Sequence, residues 1–559
     1  MEVYGYLALV VSVFIFFMIQ TKRFQKQEQQ KLNQFIDSGW GTKACRTYEH
    51  AEYEKINKYY EYKILSKNVQ SIDDITWNDL GMDDVYKQMN HTHSSAGEEV
   101  LYYLLRTPLY DRQEISNRNQ LIKEFMEYPS DSKKIQSILH QLGRTKKTSL
   151  YECLHQLKDM EYILVLPHII QALLFLASIA SFFFYPVAGM LLIITMMFIN
   201  VGTYYRTKAK IEDYYICFAY LSDMMYTGKK LLKLDAKPLA AFCSRLQNEL
   251  DNLSVFNHGM FLIVMHGSRG SLIDTIMDYI RMMLHVDIIK FCQVQRVLAE
   301  HTKSIDGLFE TLGTIDAYIA IASYRQSFQI ACEPHFSDSG KPLLHAKDLC
   351  HPLISNPISN DICADRSVLL TGSNASGKST FLKAIAINAI LAQSISFCNA
   401  NHYEASIFKI YSSMALKDNL SGNESYYVVE IKSLKRIIDA VEPNIPVLCF
   451  VDEVLRGTNT IERIAASSQI LKYINSKYAL VFAATHDIEL TQILQESYDN
   501  YHFTENLTEN DVEFIYKLKK GPATDKNAIL LLKKIGFSSE ITNQANEAAN
   551  HFVKTGEWQ

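Results

Sequence analysis

The stretch Leu369 to Thr380, LLTGSNASGKST, constrains this chain more than any other. It fits G-x-x-x-x-G-K-[ST], a loop that wraps a polyphosphate in its own backbone. Gly372 and Gly377 permit the curl that turns successive N–H groups toward one set of oxygens. Ser373, Asn374, Ala375 and Ser376 form the lining between them, and Thr380 follows the motif. Lys378 brings a mobile positive charge to the β- and γ-phosphates, and the Ser379 hydroxyl is a ligand for Mg2+. Upstream, Ser367 to Leu370 reads as a short buried strand. Downstream, Phe381 to Ala386 opens a helix whose N-terminus faces the anion. ATP and Mg2+ are the cofactors this spacing predicts.

Three later segments have the chemistry such a loop needs. Val447 to Val451 is an apolar strand ending in Asp452 and Glu453. Asp452 is placed to hold Mg2+ through water, and Glu453 to orient or deprotonate an attacking water. Leu480 to Ala484 is another strand, followed by Thr485, His486 and Asp487. A histidine at a strand end can donate to a γ-phosphate oxygen. The loop Asp418 to Ser425 precedes a helix starting near Tyr426, so Ser425 is a candidate for the γ-phosphate bound by a second copy. The predicted catalytic residues are therefore Glu453, His486 and Lys378, with Ser379 and Asp452 as metal ligands.

The rest of the 559-residue chain is mainly helical in pattern. Val3 to Gln20 is apolar and uncharged, and Lys22, Arg23 and Lys26 follow it. This order suits an uncleaved membrane anchor with the rest of the chain inside. Tyr162 to Tyr205 has no charged side chain. One helix of that length would run roughly 66 Å, about twice a bilayer core, so two spans turning near Tyr185 to Gly189 are expected. Lys146, Lys147 and Lys158 precede this block and Arg206, Lys208 and Lys210 follow it, which predicts that both flanks are cytoplasmic. Ala96 to Arg106 has the spacing of a packed helix, ended by Thr107 and Pro108. The net charge of −5 carries no global basic signature for nucleic acid. The ten cysteines have no C-x-x-C pair and read as reduced thiols of a cytoplasmic protein.

These segments together resemble the MutS family of mismatch-repair-type ATPases. The matches are TGSNASGKSTFLKAIA, DNLSGNESYYVVEIKSL, FVDEVLRGTNTIER and FAATHDIELT. His351 to Ile354, Asn360-Asp361 and Lys519 to Ala523 resemble the family's entry to and exit from this domain. HTHSSAGEEVLYYLLRTPLYDRQEISNRNQLIKEF is similar to its helical core. The resemblance implies a homodimer with shared ATP sites, in which Lys378, Ser379, Asp452, Glu453 and His486 act in cis and Ser425 in trans. It also implies helical levers that clasp DNA. The family's N-terminal mismatch-reading domain has no counterpart here. Pro357 stands where an adenine-stacking aromatic is usual, and Tyr426 where a threonine is usual.

The expected fold class is a mostly α amino-terminal core and lever region with transmembrane helices, followed by an α/β P-loop NTPase domain. The expected divisions are an anchor at 1–20, a cytoplasmic helical core region at 21–160, a membrane hairpin at 161–205, a helical lever at 206–345, and at 346–559 the ATPase domain with a helical dimerisation tail. The expected function is ATP hydrolysis at composite dimer sites, coupled to mismatched or structured DNA from a multi-pass position in the cell membrane, with the soluble parts cytoplasmic. A membrane mechanochemical ATPase acting on a membrane partner without DNA is the alternative, and a transporter ATPase ranks third.

Overall fold

The computed structural model describes residues 2–67, 69–145, 149–159, 163–257, 279–337, 340–373, 376–414, 426–507, 512–523 and 535–557, together with positions 529 and 532. Two compact units interleave along the chain. One comprises 1–68, 89–103 and 120–327, and the other 69–88, 104–119 and 328–559.

The first unit is helical. Its centre is the helix Thr302–Gln326, where Leu308, Phe309, Leu312, Ile315 and Ile319 are fully buried. The Asp316 carboxylate is buried there too. It accepts the Ser94 hydroxyl at 2.6 Å and the backbone N–H groups of His93 and Ser94 at 2.9 and 2.8 Å. Asp316 thus fixes the turn that leads into Ser95–Arg106, and the Ser94 hydroxyl it holds accepts the Gly97 N–H in the first turn at 3.0 Å. Glu98 on that helix is buried and meets Lys55 and Arg46 at 3.3 and 2.5 Å. Next to it, Glu99 is fully buried, with Ser149 as its hydroxyl donor at 3.2 Å. Burial lifts the Glu99 carboxyl to about 8. A carboxyl raised on folding binds its proton more tightly in the native chain than in the unfolded one. Its contribution is therefore complete at low pH and is lost as pH rises from about 4.5 to about 8. Glu99→Gln is expected to remove that slope, which is at most about 1.4 kcal/mol per pH unit. Thermal melts of the full chain between pH 5 and 8 check this.

The apolar block at 161–205 forms two helices, Val165–Phe182 and Pro186–Leu232. They turn at Phe183 to Tyr185, where the Tyr185 N–H donates to Ser181 O at 2.8 Å. Gly189 permits the close return: a Cβ there would meet Phe182 Cα at 2.4 Å. Among the described residues, Val165–Phe182 and Pro186–Ile211 are the helices long and apolar enough to cross a membrane, and only 11% and 17% of their apolar windows are buried. The second helix does not stop at the charged boundary near Arg206. It continues to Leu232 over 47 residues, about 70 Å. Val3 to Gln20 lies within the helix Glu2–Gly39, but most of its side chains fall outside the described residues. One expectation needs correction. Cys153 and Cys217 form a disulfide between the helices Leu150–Asp159 and Pro186–Leu232, so not all ten cysteines are free thiols.

Among the described residues the second unit carries ten strands: β1 (His335–Phe336), β2 (Leu344–Leu349), β3 (Asn360–Ala364), β4 (Ser367–Thr371), β5 (His402–Ala405), β6 (Lys409–Ser413), β7 (Val447–Asp452), β8 (Ala479–Ala484), β9 (Tyr498–Leu507) and β10 (Val512–Lys520). They make a four-stranded sheet, β1-β5-β2-β3, and a six-stranded sheet, β10-β9-β4-β8-β7-β6. In the larger sheet β9, β4, β8, β7 and β6 are parallel neighbours, and β10 runs antiparallel to β9. β4 and β8 are buried at every position, as strands covered on both faces must be. The helix Lys378–Ile395 is buried along nearly its whole length. The β6 edge is covered by the short helix Asp74–Leu80: Asp79 accepts the Ser412 hydroxyl at 2.7 Å and the Met414 N–H at 2.9 Å.

Candidate functional site

The carboxyl ends of β4, β8 and β7 lie side by side, and each delivers part of one cluster. Chain exits at the carboxyl ends of parallel strands converge on a shared crevice, which is where ligands of open α/β sheets bind. β4 runs into the glycine loop, β7 ends in Asp452, and β8 is followed by Thr485 and His486.

In the loop, Gly372 has φ 145° and Gly377 has φ 104°, values that disfavour any side chain. Space forbids one as well. A Cβ on Gly372 would sit 2.9 Å from Ser376 Oγ, and one on Gly377 would sit 3.0 Å from the Tyr516 ring. Lys378 is buried and folds back over the loop, its Nζ donating to Gly372 O at 2.8 Å and to Ser373 O at 2.7 Å. Ser376 Oγ is buried without a hydrogen-bond partner. Asn374 and Ala375 lie outside the described residues, as does Ser425 with the loop Asp418 to Ser425. Thr380 is exposed in the first turn of the helix Lys378–Ile395.

Ser379 and Asp452 meet: the Ser379 hydroxyl donates to Asp452 Oδ2 at 2.5 Å. The other carboxylate oxygen, Oδ1, is buried with no hydrogen-bond partner. Burial raises the Asp452 carboxyl, and the Ser379 hydrogen bond opposes that rise. A hydroxyl beside a carboxylate with an unused buried oxygen is a hard oxygen donor set, and it fits Mg2+.

Glu453 sits at φ 56°, a left-handed conformation that a residue of this type adopts only when its surroundings hold it there. Its N–H donates to Ala484 O at 2.9 Å, which ties it to β8. His486 Nε2 lies 2.9 Å from Glu453 Oε1, and Arg456 pairs with Oε2. Burial pushes the Glu453 carboxyl up, but His486 and Arg456 outweigh it and hold the group below its ordinary range. His486 Nε2 is also 3.4 Å from Lys378 Nζ, so the imidazole stands beside both the loop lysine and the strand-end acid. Lys378, Ser379, Asp452, Glu453 and His486 thus lie in one cluster.

Several supporting residues were not legible beforehand. Glu430, on the helix Tyr426–Asp439, is buried and accepts the Leu455 N–H at 2.5 Å, bracing the turn that follows Glu453. Asp487 is held by both guanidinium arms of Arg463, at 2.9 and 2.6 Å, which fixes the segment around His486. Arg456, three residues beyond Glu453, grips its carboxylate. Tyr516 of β10 lies against Gly377, and Asn360 holds that strand through Tyr516 O at 3.0 Å and the Leu518 N–H at 2.7 Å.

Sequence comparison places this cluster among known proteins. The family description MutS domain V matches residues 368–553. The DNA mismatch repair protein MutS of Pseudothermotoga lettingae is 31% identical over 272 residues, covering 46% of this chain and 32% of that protein. Those of Natronomonas pharaonis and Thermus aquaticus are each 27% identical over 269 and 260 residues, covering 46% of this chain and 31% of each relative. The chain therefore spans about a third of the length of the curated relatives it matches.

Proposed function

We propose, from the premise that this chain belongs to the MutS family by the domain V in its carboxy-terminal part, that it is a magnesium-dependent ATPase whose site lies at the carboxyl ends of β4, β7 and β8. The observation that carries this reading is the meeting of Ser379 with Asp452, and of His486 with both Glu453 and Lys378, around a glycine loop that admits no side chain at Gly372 or Gly377. In this reading Ser379 and Asp452 hold the metal, which when bound neutralises charge on the phosphate oxygens. Lys378 leaves the carbonyls of Gly372 and Ser373 for phosphate oxygens, a stronger charge-assisted partner. Glu453 holds the attacking water and takes up its proton, and His486 donates to the phosphoryl oxygen that develops charge. Both Glu453 oxygens are engaged in the structure, so Arg456, whose side chain is 46% exposed, is the partner that swings away. Gly372 to Thr380 form the phosphate loop, and Ser425 completes the site of a second copy.

The coupled partner in this reading is DNA, which the names of the relatives suggest. DNA-stimulated ATP turnover of the full chain, measured with homoduplex, mismatched and branched DNA, is the test. Stimulation should fall steeply with salt, because phosphate contacts release counterions. Turnover indifferent to every DNA at low salt removes DNA from the reading while leaving the ATPase in place.

A second reading has its own support. The hairpin Val165–Ile211 exposes Leu166, Leu173, Leu191 and Phe198. Its second helix runs unbroken to Leu232, deep in the helical unit. We therefore place the hairpin, with the amino-terminal helix, in the cell membrane and the remainder in the cytoplasm. ATP-driven motion would then reach lipid or a membrane partner along one rod. Turnover that changes with vesicles and not with DNA is the result that selects this reading. The polar residues of the hairpin give a transporter little to work with: His168 pairs with His285 at 2.9 Å, Asn200 donates to Met283 O at 2.7 Å, and Gln171 accepts from Thr203 at 3.3 Å.

A further inference from the structure

The four-stranded sheet carries a row of ligating side chains that the ATPase does not use. Strand register aligns four of them across all four strands. His335 of β1 is opposite Glu404 of β5, Glu404 is opposite His345 of β2, and His345 is opposite Cys363 of β3. Residues directly opposite one another share a sheet face. Alternation puts that face outward, since Leu344 and Ala346 flank His345 and are buried, and Ile362 and Ala364 flank Cys363 and are buried. Asp365, two residues beyond Cys363, comes to the same place. His345 Nε2 is 2.8 Å from Asp365 Oδ1, and Cys363 Sγ is 4.0 Å from Asp365 Oδ2. One ligand atom from each of the three lies within 4.8 Å of the others.

We infer that this face holds a transition-metal site of the Zn2+ class, with His345, Cys363 and Asp365 as ligands and Glu404 as the fourth. Imidazole, thiolate and carboxylate are the ordinary zinc donors, at bond lengths that separate ligand atoms by about 3.5 Å in a tetrahedron. Small rotations of partly exposed side chains close the remaining gap, since Asp365 is 66% and His345 29% exposed. A thiolate selects against Mg2+, so this site and the nucleotide's metal do not compete for one ion. His335, 3.8 Å from Glu404, stands behind the fourth ligand and orients it. A simple ion pair accounts for His345 and Asp365. It does not account for a thiol on the same carboxylate or for an acid and a second histidine continuing the row.

The location gives the metal a structural consequence. Asp365 and Arg366 join β3 directly to β4, the strand that delivers the glycine loop. The Tyr501 hydroxyl of β9 donates to Cys363 O at 3.3 Å, and Arg366 pairs with Asp499 at 3.1 Å. Ligation clips β2 to this junction, so the metal stiffens the approach to the nucleotide loop.

The test uses the full-length reduced protein titrated with Co2+ alone. One equivalent is expected to bind, with a near-ultraviolet thiolate-to-cobalt band that Zn2+ abolishes and excess Mg2+ does not. Cys363→Ser should erase the band, His345→Gln should weaken binding at least tenfold, and His335→Ala should weaken it about 10- to 100-fold. All three positions lie on an outward face, and circular dichroism verifies that each variant is folded. Asp452→Asn should leave the band intact. No stoichiometric binding, a band that survives Cys363→Ser, or a band lost in Asp452→Asn overturns the proposal. None of these results depends on whether the chain hydrolyses ATP.

Discussion

Glu453→Gln is expected to cut ATP turnover by about 10²- to 10⁴-fold, the range for removing a positioned general base, while leaving nucleotide affinity within a few-fold. The amide keeps the shape and still accepts from His486, but it cannot take a proton. Its pairing with Arg456 also loses the negative charge of the carboxylate, which Arg456 and His486 hold ionised in the wild type. Steady-state hydrolysis and equilibrium binding of a labelled nucleotide separate the two effects. Lys378→Ala is the contrasting variant and should lose binding itself, because no other described side chain donates from inside the loop to both Gly372 O and Ser373 O. Normal turnover by Glu453→Gln would remove the water-activating role. Unchanged binding by Lys378→Ala would remove the phosphate role.

Gly313→Ala is expected to destabilise the helical unit by about 1–3 kcal/mol or more, the usual cost of forcing a methyl into a full core. Its Cβ would stand 2.6 Å from Ala96 O and 2.6 Å from the Val100 side chain. The first of these is backbone in the opening turns of Ser95–Arg106, and backbone cannot step aside. Gly97, on the facing helix, is as tight, 2.3 Å from an Asp316 oxygen that three hydrogen bonds hold in place. Gly307 is the control. A Cβ there meets Glu249 at 2.4 Å, but the contact is the end of a long flexible side chain. Gly307→Ala should thus be near neutral or stabilising by up to about 1 kcal/mol through helix propensity. Thermal midpoints of the full chain rank the three. If Gly313→Ala melts with Gly307→Ala, the two helices do not pack at the distance described.

The sequence by itself determined the strands and turns of the candidate site. Apolar runs at 367–370, 447–451 and 480–484 are punctuated by Gly372, by Asp452-Glu453 and by Thr485-His486. β4, β7 and β8 begin and end within a residue or so of those limits. Such signals are local: burial on both faces demands continuous hydrophobicity, and a tight anion loop demands glycine. The turn of the apolar hairpin was legible for the same reason, since Pro186 and Gly189 mark it.

Only the tertiary structure decided the rest, because it depends on partners far apart along the chain. Hydropathy changes at Arg206, yet a change of hydropathy is not a break in backbone hydrogen bonding, and the helix runs on to Leu232. Asp316 holds Ser94 from 222 positions away, and Cys153 finds Cys217 at a separation of 64. Glu430 reads as one charge on an amphipathic helix until the Leu455 N–H is found against it. The row from His335 to Cys363 exists only because strand register brings its members together. A slip of one residue would turn each displaced side chain to the opposite face.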